Sequence, residues 1–333
     1  MHTSAKIYIA GHRGLVGSAL VRRLNTAGYT NLMLRTHEEL DLTNQAAVRK
    51  FFSEECPEYV FFAAAKVGGI LANATFPAHF IYQNIVIQTN VIHEAYRANV
   101  NRLLFLGSSC IYPKHAPQPI REEYLLTGPL EPTNRPYAVA KISGVEMCWS
   151  YNRQYGTKFL AAMPTNLYGP GDHYDPNESH VIPGLIRKMH DAKVEAKTEA
   201  TIWGSGKPRR EFLYSDDAAD ACVFLMNLPD EKLNPIIRDE ESPPLTNVGC
   251  GEDLTIGELA QMTAEVVGFT GKLVFDRSKP DGTPRKLLDI SRLNSLGWKR
   301  STDLRTGLVN TYGDFLDRNA RWSGSQRVST GVV

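Results

Sequence analysis

The chain has 333 residues, enough to bury a large core in one or two domains. Lysine and arginine total 37 against 36 aspartates and glutamates, so the charge gives no reason to expect a nucleic acid or an anionic membrane as partner. No apolar run approaches the roughly 18 residues of a membrane span, and no signal-peptide core follows Met1. We therefore expect a cytoplasmic protein.

The five cysteines are Cys56, Cys110, Cys148, Cys222 and Cys250. Their number is odd and their spacing is too wide for a metal knuckle, which argues against a structural zinc site and against a disulfide framework. We expect no bound metal, and we expect most of these residues to be small buried apolar side chains.

Strand-like and helical patterns alternate along the first half of the chain. Strands are predicted over residues 6–10, 31–34, 59–63, 102–107 and 158–162. Helices are predicted over residues 14–27, 44–55, 78–99 and around Tyr137, and Thr43 or Asn44 would cap the second of them. This alternation predicts an α/β fold with a doubly wound parallel sheet of the Rossmann type, whose functional site lies at the carboxyl ends of the strands.

The regularity weakens after Pro164. Residues 169–172 and 175–178 have loop composition, and short elements around Trp203, Val248 and Val274 precede a final helix over 304–318. These features indicate a smaller α/β lobe, which we expect to bind the substrate. We predict that residues 1–165 and about 215–250 form the Rossmann domain, that about 166–214 and 251–320 form the smaller lobe, and that 321–333 form a flexible tail.

Three glycines lie between the first predicted strand and the first predicted helix. Gly11 would permit the tight turn, Gly14 would let the backbone approach a pyrophosphate, and Gly17 would allow close helix packing. The spacing differs from the dinucleotide fingerprint Gly-x-Gly-x-x-Gly, so the glycines alone are also compatible with a structural turn. Their position after a strand, and the tyrosine and lysine downstream, favour a nucleotide cofactor.

The charge near the second strand indicates which nicotinamide cofactor binds. An acidic residue there would bind the ribose hydroxyls of NAD, whereas a basic one would bind the extra phosphate of NADP. Arg35 ends this strand and Arg13 lies in the glycine loop. The pair favours NADP(H), although Arg35 alone could be a solvated surface residue. Because Arg13 lies inside a loop that would bind phosphate, its guanidinium would pair with a phosphate of the cofactor.

Tyr137 and Lys141 predict carbonyl chemistry. They are four residues apart, so on a helix they share one face, and we expect the lysine ammonium to lower the pKa of the phenol. A free tyrosine titrates near 10, about three units too high for efficient proton transfer at neutral pH. Ser108, after the 102–107 strand, could reach the same carbonyl oxygen only if that strand ends beside the helix.

Longer blocks narrow the interpretation further. Those at residues 63–70, 107–113, 164–170, 179–183 and 279–286, together with the glycines and with Ser108, Tyr137 and Lys141, resemble the GDP-L-fucose synthase family of the extended short-chain dehydrogenase/reductase superfamily. The resemblance runs from about Lys6 to Phe315. It implies epimerisation of GDP-4-keto-6-deoxy-D-mannose at C3 and C5, followed by reduction at C4 by NADPH to give GDP-L-fucose.

The resemblance also implies catalytic roles. Tyr137 would be the acid toward the C4 oxygen, Ser108 its hydrogen-bond partner, and Lys141 a cofactor anchor. Cys110 would be the base and His180 the acid of the epimerisation. A thiol near 8.5 and an imidazole near 6.5 bracket neutral pH, which suits these roles. Without the family, a packed cysteine and a surface-loop histidine would be the more natural interpretations.

Further contacts are implied by the same resemblance. For the cofactor they are Gly11, His12, Arg13, Gly14, Leu15, Val16, Gly17, Arg35, His37, Asp41, Leu42, Ala64, Leu106, Gly107, Ser108, Tyr137, Lys141, Pro164, Asn166, Leu167 and His180. For the substrate they are Ser109, Cys110, Asn166, Lys188, Trp203, Arg210, Asp281 and Lys286. Relatives often have an arginine in place of His37, so we expect NADPH to be preferred by a smaller factor here.

The resemblance implies a homodimer as well. The helices over 78–99 and 137–155 carry apolar residues on more than one face, and relatives pair these helices as a four-helix bundle. Burial within one subunit would produce the same pattern, and periodicity does not distinguish the two.

Two other functions are compatible with parts of the pattern. A nucleotide-sugar 4-epimerase or 4,6-dehydratase would share the glycine loop, Tyr137 and Lys141, but a dehydratase needs acidic residues where this chain has Ser109 and Cys110. A 4-epimerase needs no second acid–base pair. A non-catalytic NADP-sensing protein would keep the fold but would not need Ser108, Tyr137 and Lys141 together.

Overall fold

The computed structural model describes residues 1–175, 179–279 and 281–329. Part of the loop predicted at 175–178 and the end of the predicted tail lie outside these residues. The strands are β1 (Ile7–Ala10), β2 (Leu32–Met33), β3 (Tyr59–Phe62), β4 (Arg102–Leu106), β5 (Phe159–Pro164), β6 (Asn166–Tyr168), β7 (Glu199–Trp203), β8 (Arg209–Arg210), β9 (Phe212–Tyr214), β10 (Leu245–Val248), β11 (Leu254–Thr255), β12 (Lys272–Asp276) and β13 (Arg285–Lys286). The helices are α1 (Leu15–Thr26), α2 (Gln45–Glu55), α3 (Ile70–Thr75), α4 (Pro77–Arg97), α5 (Arg135–Tyr155), α6 (Val181–Val194), α7 (Ser215–Met226), α8 (Asp230–Ile237), α9 (Ile256–Val267), α10 (Ser291–Leu296) and α11 (Leu304–Ser329).

Six parallel strands form the central sheet in the order β2-β1-β3-β4-β5-β10. The chain runs from β1 outward to β2 and then crosses to β3 on the other side of β1, which creates a topological switch point there. The inner strands are nearly continuous apolar runs because both faces of a parallel sheet are covered. The predicted doubly wound sheet is confirmed.

Successive residues of each strand pack against opposite layers of helices. Phe62 and Phe105 join the cluster formed with α2, α4 and α5, whereas their neighbours Phe61 and Leu104 pack with α1 and α7. The two faces of the sheet therefore each have their own buried core. Both cores hold the strand ends, and the loops that follow them, in fixed positions.

Local sequence sets the ends of the helices that matter for the site. Asn44 caps α2 by accepting a hydrogen bond from the Ala47 N–H at 3.1 Å. It is one of the two residues that the sequence predicted as the cap of this helix. Pro136 lies in the first turn of α5, and Gly156 ends that helix in the left-handed region with φ of +67°. The short α3 before α4 was not predicted.

The smaller lobe has its own core, and its strands pair in small separate sheets. β6 pairs with β9, β7 pairs with β12, and β8 lies between β11 and β13. Ile186 of α6, Leu259 of α9 and Phe315 of α11 are buried together. Leu293 of α10 instead packs onto the Rossmann core, although we predicted it in the smaller lobe. Helix α11 continues beyond the predicted residue 318 and includes most of the segment predicted to be a flexible tail.

Two further observations concern the described residues as a set. None of their helices is long and apolar enough to cross a membrane. Among the same residues, no group of three or more histidine, cysteine, aspartate or glutamate side chains is placed to hold a metal ion.

Candidate active site

The glycine loop, residues 11–17, joins β1 to α1 at the switch point. Gly11 has φ of +83°, and a Cβ there would come within 2.8 Å of the Ala64 backbone. A Cβ on Gly17 would overlap the carbonyl oxygen of Gly11. Glycine at these two positions therefore lets α1 begin directly against the ends of two adjacent strands.

The start of α1 has the properties that a dinucleotide diphosphate requires. Its first turn carries no acidic residue, and Gly14, its N-cap, has no side chain to occupy the backbone N–H groups. His12 Nδ1 is buried without a hydrogen-bond partner among the described residues. Arg13 is exposed and forms no ion pair within that same part of the chain. Free N–H groups, an unpaired imidazole nitrogen and a cation in one loop fit the diphosphate of a dinucleotide.

Arg35 is less available than the sequence indicates. Its guanidinium pairs with Glu55 at 2.6 Å, donates to the Leu34 carbonyl at 2.9 Å and lies 5.6 Å from the centre of the Phe51 ring. His37 is exposed and lies 3.8 Å from Asp41. The exposed Arg13 is therefore better placed than Arg35 to meet an additional phosphate.

Ser108, Tyr137 and Lys141 meet where β4 ends beside α5. The Ser108 hydroxyl accepts a hydrogen bond from the Cys110 N–H at 3.3 Å and lies close enough to Tyr137 to lower the pKa of its phenol. The Lys141 Nζ donates to the Leu106 carbonyl at 2.7 Å and lies 5.9 Å from the centre of the Tyr137 ring. The sequence indicated that Ser108 could act with Tyr137 only if the strand before it ended beside the helix, and β4 does end beside α5.

Burial shifts the pKa values of the two titratable groups in opposite directions. Desolvation raises the pKa of Tyr137 well above its ordinary value, Cys110 adds to the increase, and the Ser108 hydrogen bond opposes it. Burial lowers the pKa of Lys141 from 10.5 to about 7. The expectation that Lys141 lowers the pKa of Tyr137 is therefore wrong for the protein alone, because the lysine is itself only partly protonated near neutral pH.

Cys110 lies two residues beyond Ser108, and two hydrogen-bond donors approach its sulfur. The Asn134 Nδ2 is 3.3 Å from Sγ, and the Lys286 Nζ is 3.8 Å from it. The cysteine is partly exposed, so a ligand could reach it. An amide donor and an ammonium around one sulfur suit a negatively charged thiolate.

His180 is the N-cap residue of α6, in the smaller lobe. Its side chain reaches solvent, yet the surrounding protein lowers its pKa by desolvation, with a smaller contribution from His173. Among the described residues, no hydrogen bond joins His180 to Cys110 or Tyr137. Its role as the second acid–base group stays a prediction.

Trp203 presents an exposed indole at the end of β7. The side chain is 59% exposed, and the ammonium groups of Lys188 and Lys279 lie 5.4 and 5.5 Å from its ring. Lys188 also donates to the Thr201 carbonyl at 2.7 Å. A stacking surface flanked by two cations suits a nucleobase that carries phosphates.

Arg210 and Asp281 lie close together on the same lobe. Asp281 accepts hydrogen bonds from the Ser205 N–H at 2.8 Å and from its hydroxyl at 2.6 Å. Burial lowers the pKa of Arg210, and the charge of Asp281 opposes that shift. The carboxylate thereby helps to keep a partly buried guanidinium charged.

The other predicted contacts lie on or after the strand ends. Asn166 donates to the Glu211 carbonyl at 2.8 Å, and Ser109 is buried behind Cys110. The remaining residues lie in α1, in the loop between β2 and α2, or in and just after β3 to β6; they are Leu15, Val16, Asp41, Leu42, Ala64, Leu106, Gly107, Pro164 and Leu167.

Sequence reasoning missed Asn134, Lys279 and Glu211. The Glu211 side chain is fully buried and accepts hydrogen bonds from the backbone N–H groups of Cys250, Gly251 and Leu288 at 2.6, 2.7 and 3.0 Å, which fixes loops of both lobes. Asn134 had a signal, because it lies three residues before Tyr137 and thus on the same helical face. No local pattern indicates Lys279 or Glu211.

The fold and this site define a Rossmann-type enzyme with a serine, tyrosine and lysine carbonyl centre. The family described as NAD dependent epimerase/dehydratase matches residues 7–238. The chain is 57% identical to GDP-L-fucose synthase 1 of Arabidopsis thaliana over 313 residues, 94% of each chain. It is 54% identical to GDP-L-fucose synthase of Escherichia coli over 321 residues, 96% of this chain and 99% of the other.

A solved structure adds a third comparison. The GDP-D-glycero-L-gluco-heptose synthase from Campylobacter jejuni, in the presence of NADPH, is 40% identical, with a TM-score of 0.85 over 95% of this chain and 99% of the other. The chain therefore belongs to the NAD dependent epimerase/dehydratase family and, within it, to the GDP-L-fucose synthases.

Proposed function

We propose that this protein converts GDP-4-keto-6-deoxy-D-mannose to GDP-L-fucose by epimerising C3 and C5 and then reducing C4 with NADPH. One observation carries the proposal. Two sets of proton-transfer groups converge at the end of β4, with Ser108, Tyr137 and Lys141 on one side and Cys110, approached by two donors, beside them. A simple reductase needs only the first set.

The glycine loop, Arg13 and Lys141 would hold NADPH. When bound, the reduced nicotinamide supplies the hydride that the C4 carbon accepts. Because Arg35 is paired with Glu55, recognition of the 2′-phosphate would depend mainly on Arg13. We therefore expect NADPH to be preferred over NADH, but by a modest factor.

Epimerisation would begin at Cys110. The thiolate takes the proton from a carbon next to the C4 ketone, so that an S–H bond forms while the electrons of the broken C–H bond move onto the C4 oxygen. A hydrogen bond from Ser108 stabilises that enolate oxygen. His180 then returns a proton to the opposite face of the carbon, and the ketone re-forms. Cys110 then releases its proton to solvent and His180 takes one up, so that the same sequence can occur once at C3 and once at C5, which flank the same carbonyl.

Reduction would use Tyr137 as the proton donor. The raised pKa of Tyr137 keeps the phenol protonated at neutral pH, so it has a proton to give to the C4 oxygen as the hydride arrives. Ser108 holds the same oxygen. Burial of Tyr137 opposes its ionisation, and a protonated phenol is what reduction of the ketone requires.

The smaller lobe would bind the GDP group. Trp203 offers a surface for the base, and Lys188, Lys279 and Arg210 supply cations for the diphosphate. We also propose a cytoplasmic homodimer paired through α4 and α5, the longest helices of the Rossmann half.

Product identification tests the proposed function. The protein is incubated with GDP-4-keto-6-deoxy-D-mannose and NADPH, oxidation of the cofactor is followed by absorbance, and the nucleotide sugar is identified by NMR. GDP-L-fucose is the expected product. A product reduced at C4 but unchanged at C3 and C5 would contradict the proposal and indicate a simple reductase. If NADPH is not oxidised, the protein would instead be a non-catalytic NADP-binding protein.

The 40% identity to a GDP-heptose synthase supports a second candidate, a related GDP-sugar that carries an additional carbon. The same incubation with a GDP-4-keto-heptose distinguishes the two. The proposed substrate should give the higher kcat/KM.

A further inference from the structure

Asn134 lies between the two chemistries of the site. It is the residue just before α5, and its position three and seven residues ahead of Tyr137 and Lys141 puts all three on one helical face. Its side chain contacts Cys110 rather than either of them. The asparagine therefore links the helix that carries the reductive groups to the sulfur.

The nitrogen and the oxygen of the Asn134 side-chain amide have different surroundings. The Nδ2 donates to Cys110 Sγ at 3.3 Å, whereas the Oδ1 is buried and has no hydrogen-bond partner among the described residues. A buried carbonyl oxygen without a partner costs about 1–3 kcal/mol, so it is normally satisfied by something. The amide is therefore held with its nitrogen toward the sulfur, while its oxygen is enclosed by the protein.

The position of Asn134 is fixed from behind. Its backbone N–H donates to the Glu131 carbonyl at 3.4 Å, and Glu131 forms an ion pair with Lys114 at 2.9 Å. The 3₁₀ turn over Pro132–Asn134 is thereby held before α5 begins. The backbone that carries the Asn134 amide is therefore held in place.

We propose that Asn134 is a positioning residue of the epimerisation: it orients and stabilises the Cys110 thiolate through Nδ2. The proposal rests on the proposed function. Besides Asn134, the groups that face the sulfur are Lys286 on β13 and Tyr137 on α5. The lysine attracts the thiolate from the other side, and the neutral phenol adds no charge.

Proton abstraction by Cys110 requires no reactant besides the sugar. The ring C–H bond breaks, its electron pair moves onto the C4 oxygen, and its proton forms the S–H bond of Cys110. The Asn134 amide stays neutral and keeps a lone pair of the sulfur directed at the ring carbon. A residue with this role should affect proton abstraction more than hydride transfer.

The first test measures the sulfur in the protein without substrate. Alkylation of Cys110 by iodoacetamide is followed against pH by peptide mass spectrometry, with the exposed Cys56 as internal reference. In Asn134→Asp the donor becomes a carboxylate, so the pH midpoint of Cys110 alkylation should rise by about one unit. Asn134→Ala should raise it by less. The Cys56 midpoint should stay unchanged in both.

Asn101→Asp is the matched control. Asn101 is exposed just before β4, at the end of the strand opposite to Ser108, and gives the same change of charge. It should leave the Cys110 midpoint where it is. An unchanged midpoint in folded Asn134→Asp and Asn134→Ala would overturn the proposal.

The second test separates the two reactions. Asn134→Ala should slow solvent-deuterium incorporation at C3 and C5 about 10- to 100-fold, while oxidation of GDP-L-fucose by NADP⁺, which needs Tyr137 and not Cys110, should change less than about threefold. An equal loss of both would mean a merely structural role. If the wild type shows no exchange, the proposed function fails, and the alkylation midpoints still decide whether Asn134 supports the thiolate.

Discussion

Lys141 shows how strongly burial governs single residues of this site. It is 3% exposed, donates one hydrogen bond to the Leu106 carbonyl and lies 4.7 Å from the centre of the Phe105 ring. Few groups compensate for its lost hydration, which is why its pKa falls to about 7. The helical spacing predicted that Lys141 neighbours Tyr137, but it carried no information about the dielectric of their surroundings.

Replacing Lys141 with methionine should therefore stabilise the protein while removing activity. The folded-state pKa of about 7 lies below the ordinary 10.5, so the unfolded chain binds more protons between these values and the wild type gains stability as pH rises. Lys141→Met should raise the free energy of unfolding by about 4 kcal/mol at pH 7, and the gain should vanish above about pH 10.5. Urea unfolding at several pH values measures this.

The activity of Lys141→Met should fall at least about 100-fold if the lysine anchors the cofactor and assists proton transfer. A variant that is less stable than the wild type at pH 7 would show that burial of the ammonium is compensated in the folded state. That result would contradict the electrostatic account of this residue.

At the scale of elements, α1 depends on how closely it approaches the strand ends. A Cβ on Gly17 would overlap the Gly11 carbonyl oxygen, which belongs to backbone and cannot rotate away. Gly17→Ala should shift the whole loop and weaken NADPH binding by more than about tenfold. Titration of the cofactor's fluorescence measures the affinity.

Gly313→Ala is the control for that substitution. Gly313 lies in α11, where a Cβ would meet no other atom within 4 Å, so alanine should stabilise the helix by about 0.5–1 kcal/mol and leave NADPH affinity unchanged. Similar loss of affinity in both variants would mean that the loop tolerates a side chain at Gly17.

Elements were predictable wherever their pattern is local. The period of apolar residues identified the inner strands and α2, and Asn44 was among the expected caps. The contact of Lys286 with Cys110 joins residues separated by 176 positions, and β13 is positioned by pairing with β8. No local spacing encodes such a contact. Lys286 came from family resemblance, and Lys279 was missed because it depends on the same long-range packing.

At the scale of the whole molecule, the site is shared between two lobes with separate cores. Ser108, Cys110 and Tyr137 belong to the Rossmann half, whereas Lys286, Arg210 and Trp203 come from elements of the smaller lobe. The buried Glu211 joins them by accepting backbone N–H groups from Cys250 and Leu288. The surroundings of the Cys110 sulfur are therefore supplied by both halves, whereas those of Tyr137 and Lys141 are supplied by one.

This division means that the two reactions should be separable by single substitutions, and isotope exchange in the presence of NADPH measures both at once. Cys110→Ser should abolish deuterium uptake from solvent at C3 and C5. Tyr137→Phe should retain that uptake and stop hydride transfer to C4. Equal loss of exchange and of reduction in both variants, with the fold intact, would contradict the assignment of two chemistries to one strand end.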